Sequence, residues 1–177
     1  EHVRETLSLD RIMFVPAAIP PHKAEQYIVP PEYRMAMLRL ATEDNPNFMV
    51  SDIEIERGGI SFMIDTLTEL KHRHPTDNFC LLIGMDNLLE FHAWRSPEKI
   101  LTLASVVVMS RPGYEASDVP FATKDKVTIC PVPEIDIASR DIRNRVGEGK
   151  SIQYLVSDSV RNYINAHQLY LPHTLPK

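Results

Sequence analysis

Phe79-Cys80-Leu81-Leu82-Ile83, followed at once by Gly84-Met85-Asp86-Asn87, is the stretch whose reading decides the fold. Five apolar residues in an unbroken run show no in-and-out alternation. Such a run suits a parallel strand covered on both faces. A second run, Val106-Val107-Val108-Met109, repeats the pattern and is closed by Ser110-Arg111-Pro112-Gly113. Between the two, Ser96-Pro97-Glu98 opens a helix expected to reach about Ala104, with proline in its first turn. Strand, helix and strand in that order make a βαβ unit, and its crossover sets the two strands parallel.

The same alternation extends to both ends. Residues 11–15 read as a strand, and the loop Pro16-Ala17-Ala18-Ile19-Pro20-Pro21-His22-Lys23 follows. Pro31-Glu32 begins a helix whose Tyr33, Met37, Leu40 and Ala41 share one apolar face, and Asn45-Pro46 stops it. Residues 48–55 read as a strand with charges woven in, near a sheet edge. Arg57-Gly58-Gly59 turns the chain. Ser61 is expected to cap a helix carrying Met63, Thr66, Leu67 and Leu70 on one side. Residues 126–130 form another strand. Ser139 is expected to cap a helix, and Ser157 the last one, with Val160, Tyr163, Ile164 and His167 along a face. Alternating units of this kind predict an α/β fold: a doubly wound, mostly parallel sheet with flanking helices. Ligands of such sheets bind beyond the carboxyl ends of the strands. The loops after Val15, Ile83, Met109 and Ile135 are expected at that edge.

Bulk properties narrow the function. The chain has 177 residues, 44% hydrophobic and 24% charged, which suits one globular domain. Its net charge of −5 argues against a nucleic-acid polymer as partner, since such binders carry a basic stripe. Cys80 and Cys130 lie in apolar runs outside any C-x-x-C pair, and read as reduced core residues of a cytoplasmic protein. No apolar run approaches membrane-spanning length, and no signal peptide is legible. The opening, Glu1-His2-Val3-Arg4-Glu5-Thr6-Leu7, reads as the last turns of a helix already under way, so a segment is expected ahead of it. Self-association as a homo-oligomer is left open.

Several loop residues carry candidate chemistry. In Ile137-Ala138-Ser139-Arg140-Asp141-Ile142-Arg143, a helix start offers unpaired amides and partial positive charge, and Arg143 sits one turn in with a forked donor pair. This outlines a phosphate site, although on these residues alone an ordinary capped helix with a solvated arginine is the commoner arrangement. Lys23, on a stiff Pro-Pro-His tether, suits phosphate or a plain surface loop. Gly84 allows close backbone approach, and Asp86 then accepts from a ribose hydroxyl or caps the next helix. Trp94 is the only tryptophan and reads as a stacking platform or as a plug at the core's edge. Arg111 reaches a phosphate or faces solvent. The seven histidines show no metal spacing, and no nucleophile–base pair stands out. Lys23, Arg111 and Arg143 are expected near one crevice.

In their order these motifs resemble the bacterial nicotinate-mononucleotide adenylyltransferases, a family of the nucleotidyltransferase superfamily with a Rossmann-like fold. The resemblance rests on Phe14-Val15-Pro16 through Lys23, residues 59–67, Ile83-Gly84-Met85-Asp86-Asn87-Leu88, Phe91-His92-Ala93-Trp94, Ser110-Arg111-Pro112-Gly113, residues 135–143 and residues 160–170. It implies adenylyl transfer from ATP to nicotinate mononucleotide, giving nicotinate adenine dinucleotide and pyrophosphate in NAD synthesis. It further implies that Trp94 stacks on the nicotinate ring and that the backbone around Met63 and Arg95 holds its carboxylate. Gly84 and Asp86 line the nucleotide and its ribose; His22, Lys23 and Arg111 meet phosphates; Ser139 and Arg143 hold the ATP phosphates. Mg²⁺ is expected on those phosphates, without a protein metal site.

Three departures from the family pattern stand out. Phe62-Met63 replaces a usual Tyr-Thr, and Ala138 and Arg140 replace short hydroxyl residues. The family's opening strand and its Gly-Gly loop with paired histidines (His-x-x-His) are not in residues 1–177, which are therefore expected to form one nucleotidyltransferase domain lacking its first strand and catalytic loop. Two other readings follow from that: a non-catalytic nucleotide-binding relative, or an adenylyltransferase for another acceptor such as nicotinamide mononucleotide or phosphopantetheine.

Overall fold

The computed structural model describes residues 1–21, 29–110, 127–133 and 135–172. In chain order the elements are α1 (His2–Thr6), β1 (Ile12–Phe14), α2 (Pro31–Thr42), β2 (Phe48–Val50), α3 (Ile53–Arg57), α4 (Met63–Arg73) and β3 (Cys80–Gly84). Then come α5 (Met85–Glu90), a single 3₁₀ turn (Phe91–Ala93), α6 (Pro97–Leu103), β4 (Ser105–Ser110), β5 (Val127–Pro131), α7 (Ser139–Gly147) and α8 (Asp158–Ala166). The class is α/β with parallel strands flanked by helices, as the alternation predicts. The chain divides into two compact units, Glu1–Leu9 with Ser61–Glu134, and Asp10–Ile60 with Ile135–Lys177.

The first unit holds a three-stranded parallel sheet in the order β3-β4-β5, with Leu82 opposite Val107 and Val107 opposite Thr128. Both faces of this sheet are covered, which explains the unbroken apolar runs. On one face Ile83, Val106 and Val108 pack with Ile64 and Leu67 of α4, Leu88 of α5 and Ile100 of α6. On the other, Val107 and Cys130 pack with Val3 of α1, beside Cys80, Leu82 and Met109. Cys130 is buried and Cys80 half-buried, and both are free thiols. Burial pushes the Cys80 thiol above its ordinary pKa.

In the second unit β1 and β2 pair in parallel, Ile12 with Phe48 and Phe14 with Val50. Its core is helical. Tyr33, Met37 and Leu40 of α2 pack against Val146 of α7 and Val160 and Ile164 of α8, so the faces read from the sequence are the buried ones. Arg34 of α2 ties the loop after β1 to its own helix. Its guanidinium donates to the carbonyls of Ala17, Ala18 and Val29, the last at 3.0 Å. Burial pulls its pKa down, against smaller upward effects of Tyr170 and Glu32.

The structure departs from the sequence reading in four places. Among the described residues the strands are hydrogen-bonded as two sheets, not one. The expected strand over 48–55 ends at Val50, and Ile53–Arg57 is helical. There the alternation of Ile53 and Ile55 with acids mimics a strand. Yet Ile53 and the adjacent Glu54 are both buried, as neighbours on a short helix can be and alternate strand residues are not. Ser61 is not the cap of α4; the N-cap is Phe62, in extended conformation. Ser139 is not the cap of α7 either. Ala138 is extended (φ −106°, ψ 137°) and its carbonyl accepts from Asp141 and Ile142, so Ser139 is the first helical residue.

Candidate active site

In the first unit the site residues gather around two helix starts and a turn. β3 runs straight into α5 at Gly84. Asp86 folds its carboxylate back over that glycine: a β-carbon placed on Gly84 would lie 2.6 Å from Asp86 Oδ1. The glycine is therefore needed for close approach rather than for an unusual φ, since its φ is −81°. Asn87 Nδ2 donates to the same Oδ1 at 3.4 Å, and both side chains are exposed.

At the start of α4, the carbonyl of Phe62 accepts from Asp65 and Thr66. The amides of Met63 and Ile64 donate to no protein acceptor among the described residues, as expected of a helix's first turn. Trp94 leaves the 3₁₀ turn with its amide donating to Phe91 at 3.1 Å. Its ring lies 5.3 Å from that of Phe91, tilted by 45°. Phe91 is a core residue, so Trp94 is seated on the edge of the core and partly exposed. Arg95 reaches back to α4, with Nη1 3.2 Å from Asp65 Oδ2 and its guanidinium 4.9 Å from the centre of the Phe62 ring. Thus Met63, Trp94 and Arg95, expected to serve one ligand, are drawn from two segments joined by that contact.

In the second unit, α7 presents the amides of Ser139 and Arg140, which likewise have no protein acceptor among the described residues. Arg140 is exposed, with Nε 3.7 Å from Asp141 Oδ1. Arg143 is a partly buried residue of α7, and its side chain makes no hydrogen bond or ion pair with any described residue. A guanidinium with no acidic partner among the described residues is available to pair with an anion. A cleft of about 440 Å³ in the same unit, lined by Arg34, Met37 and Val160 among others, contains none of the residues expected in the site. His22, Lys23 and Arg111 lie outside the described residues.

The model of the family described as cytidylyltransferase-like matches residues 1–145. A probable nicotinate-nucleotide adenylyltransferase of Geobacter sulfurreducens is 41% identical, over 96% of this chain and 88% of the relative. Another, from Roseiflexus, is 44% identical over 96% and 87%. The chain belongs to the nicotinate-nucleotide adenylyltransferases, within the cytidylyltransferase-like family. Among solved structures, the Plasmodium falciparum nicotinic acid mononucleotide adenylyltransferase complexed with NaAD superposes with a TM-score of 0.75. That match covers 95% of this chain and 88% of the other at 17% identity, and it speaks for the fold.

Three residues of this adenylyltransferase chain escape a reading of motifs. Asp65 looks like an acid complementing a helix dipole, and its partner is thirty positions away. Phe62 looks like a lost tyrosine, yet it supplies the ring under Arg95. Arg34 looks like a surface charge on an amphipathic helix, yet its acceptors are backbone carbonyls, which no side-chain pattern reveals.

Proposed function

We propose that the protein transfers the adenylyl group of ATP to nicotinate mononucleotide. A phosphate oxygen of the mononucleotide forms a bond to the α-phosphorus of ATP. The bond from that phosphorus to the bridging oxygen breaks, and pyrophosphate leaves with the electron pair. The products are nicotinate adenine dinucleotide and pyrophosphate, made in the cytoplasm for NAD synthesis.

The observation that carries this reading is Arg143, whose side chain has no hydrogen-bond or ion-pair partner among the described residues, one turn into a helix whose first two amides have no acceptor among them. The attacking group is already an anion, so the chemistry asks for positioning and for stabilisation of phosphoryl charge rather than a protein base. In this reading Ser139 and Arg143 hold the ATP phosphates, with His22, Lys23 and Arg111 as further phosphate contacts. Gly84 and Asp86 line the nucleotide. Trp94 stacks on the nicotinate ring, and the backbone at Met63 and Arg95 receives its carboxylate.

The reading places Mg²⁺ on ATP phosphate oxygens and water. In this reading the ion is carried by its substrate rather than by a dedicated set of protein ligands. Bound there, it would neutralise phosphate charge. No described helix is long and apolar enough to cross a membrane.

The test is turnover by the full-length natural protein, with ATP and one acceptor at a time: nicotinate mononucleotide, nicotinamide mononucleotide or phosphopantetheine. Nicotinate adenine dinucleotide is the expected product at the highest kcat/KM. Faster turnover with another acceptor would replace the substrate assignment, and no turnover with any would favour a nucleotide-binding relative.

A further inference from the structure

We propose that Asp65 is a positioning residue for the acceptor nucleotide, acting through Arg95 on the segment that bears Trp94. The proposal rests on the reading that Trp94 and Arg95 serve the nicotinate end of the acceptor. Asp65 lies two residues past Met63, in the first turn of α4. Its Oδ2 is 3.2 Å from Arg95 Nη1, and the same guanidinium lies 4.9 Å from the centre of the Phe62 ring. One turn of one helix therefore supplies a carboxylate and an aromatic face to a single arginine. A cation held by both has its plane and its position fixed, which neither contact alone would achieve.

The backbone around Arg95 needs that restraint. Trp94 is extended (φ −68°, ψ 156°), and Ser96 is left-handed at φ +55° before Pro97. A left-handed non-glycine residue persists only where its surroundings over-determine it. On one side the segment is seated by the Trp94 ring against Phe91; on the other it is seated by Arg95 against Phe62 and Asp65. The contact thus joins the two stretches assigned to the nicotinate, the amide of Met63 and the ring of Trp94. Both partners are partly exposed, with 56% of the Arg95 side chain and 41% of the Asp65 side chain accessible, so the effect is a modest one.

The experiment is steady-state kinetics on the full-length protein carrying Asp65→Asn, Asp65→Glu, Arg95→Gln or Asp65→Asn with Arg95→Gln. Asp65→Asn is expected to raise KM for nicotinate mononucleotide about threefold, with KM for ATP and kcat nearly unchanged. Asp65→Glu, which keeps the charge and can still reach, is expected to restore most of the loss. The double variant should be no worse than the worse single one, because both remove the same contact. An acid that only steadied α4 would lower the thermal midpoint and the active fraction without moving KM, and that result would overturn the proposal. So would equal rises in KM for both substrates. Trp94→Ala, run alongside, separates the two levels of inference. If it leaves the acceptor KM unchanged, the acceptor assignment itself fails. If it raises that KM while Asp65→Asn does not, only the role of Asp65 falls.

Discussion

At the start of α4, Arg95 is paired with Asp65 and lies over Phe62, while at the start of α7, Arg143 has no ionic partner among the described residues. The two helix starts are otherwise alike. Each begins after an extended, non-hydroxyl N-cap, Phe62 or Ala138, and each leaves its first two amides without a protein acceptor among the described residues. The difference lies in what holds each arginine. A cation held between a carboxylate and a ring contributes shape, because the two contacts fix where its plane lies. A cation without an acidic partner among the described residues contributes field, because an arriving anion can pair with it. In the proposed reading, the acceptor's flat ring calls for shape, and the ATP polyphosphate calls for field.

The largest expected effect tests the unneutralised arginine. Arg143→Ala is expected to cost about 2.7–4 kcal/mol of transition-state stabilisation, the range for losing one donor to a developing oxyanion. That amounts to at least tens-fold in kcat/KM for ATP. The thermal midpoint should barely move, since the guanidinium has no bond to a described residue to lose. Wild-type turnover would erase the contrast between the two helix starts. A large loss of stability would mean that the charge is used within the protein after all.

Trp94→Ala tests the other side of the comparison. Stacking of a base or similar flat ring on an aromatic side chain contributes about 1–3 kcal/mol. The loss should appear in KM for the mononucleotide and hardly at all in KM for ATP. Some stability should go with it, because Trp94 also rests against Phe91 in the core. Equal weakening of both substrates would show that the residue matters only as a core plug.

How much of the fold is legible in the amino-acid sequence depends on the range of the interactions. The two apolar runs at 79–83 and 106–109 announce a buried parallel sheet because covering both faces removes alternation, and β3 and β4 are such strands. The helical faces of α2 and α8 are legible because their period is local. Legibility fails at 53–57, where a short helix happens to alternate, and at Ser139, where a one-residue shift decides between cap and first turn. It fails again for Asp65 and Arg34, whose partners are distant or are backbone carbonyls. Candidate residues for chemistry are visible as types in loops. Their pairing, which separates Arg95 from Arg143, is not.

Gly84→Ala sharpens the comparison at a third helix start, that of α5. An added methyl would sit 2.6 Å from Asp86 Oδ1, and the exposed carboxylate is free to swing away. The fold should hardly notice, since φ at Gly84 suits any residue. If Asp86 accepts a ribose hydroxyl, displacing it should cost about 1 kcal/mol in nucleotide binding. The check is KM against thermal midpoint: a raised KM at an unchanged midpoint is expected. A lowered midpoint with unchanged KM would make Asp86 a local helix acid and nothing more.

The smallest effect, and the cleanest on the start of α7, comes from two serines that look interchangeable in the sequence. Ser157 is a true cap: its Oγ accepts from the amide of Val160 at 3.4 Å. Ser139 stands one position later, inside its helix, and its hydroxyl caps nothing there. Replacing a capping serine by alanine costs about 0.5–2 kcal/mol, and the long bond at Ser157 places it near the lower end. Ser157→Ala should therefore lower the denaturation midpoint measurably. Ser139→Ala should leave it alone, because alanine is at least as good a first helical residue. Activity should divide the other way, with Ser139→Ala reducing kcat/KM for ATP if its hydroxyl reaches a phosphate, and Ser157→Ala leaving it intact. Loss of stability in Ser139→Ala would mean that the helix start is built for its own closure. Retained stability with reduced turnover would mean that the hydroxyl is held in reserve for the same anion as Arg143.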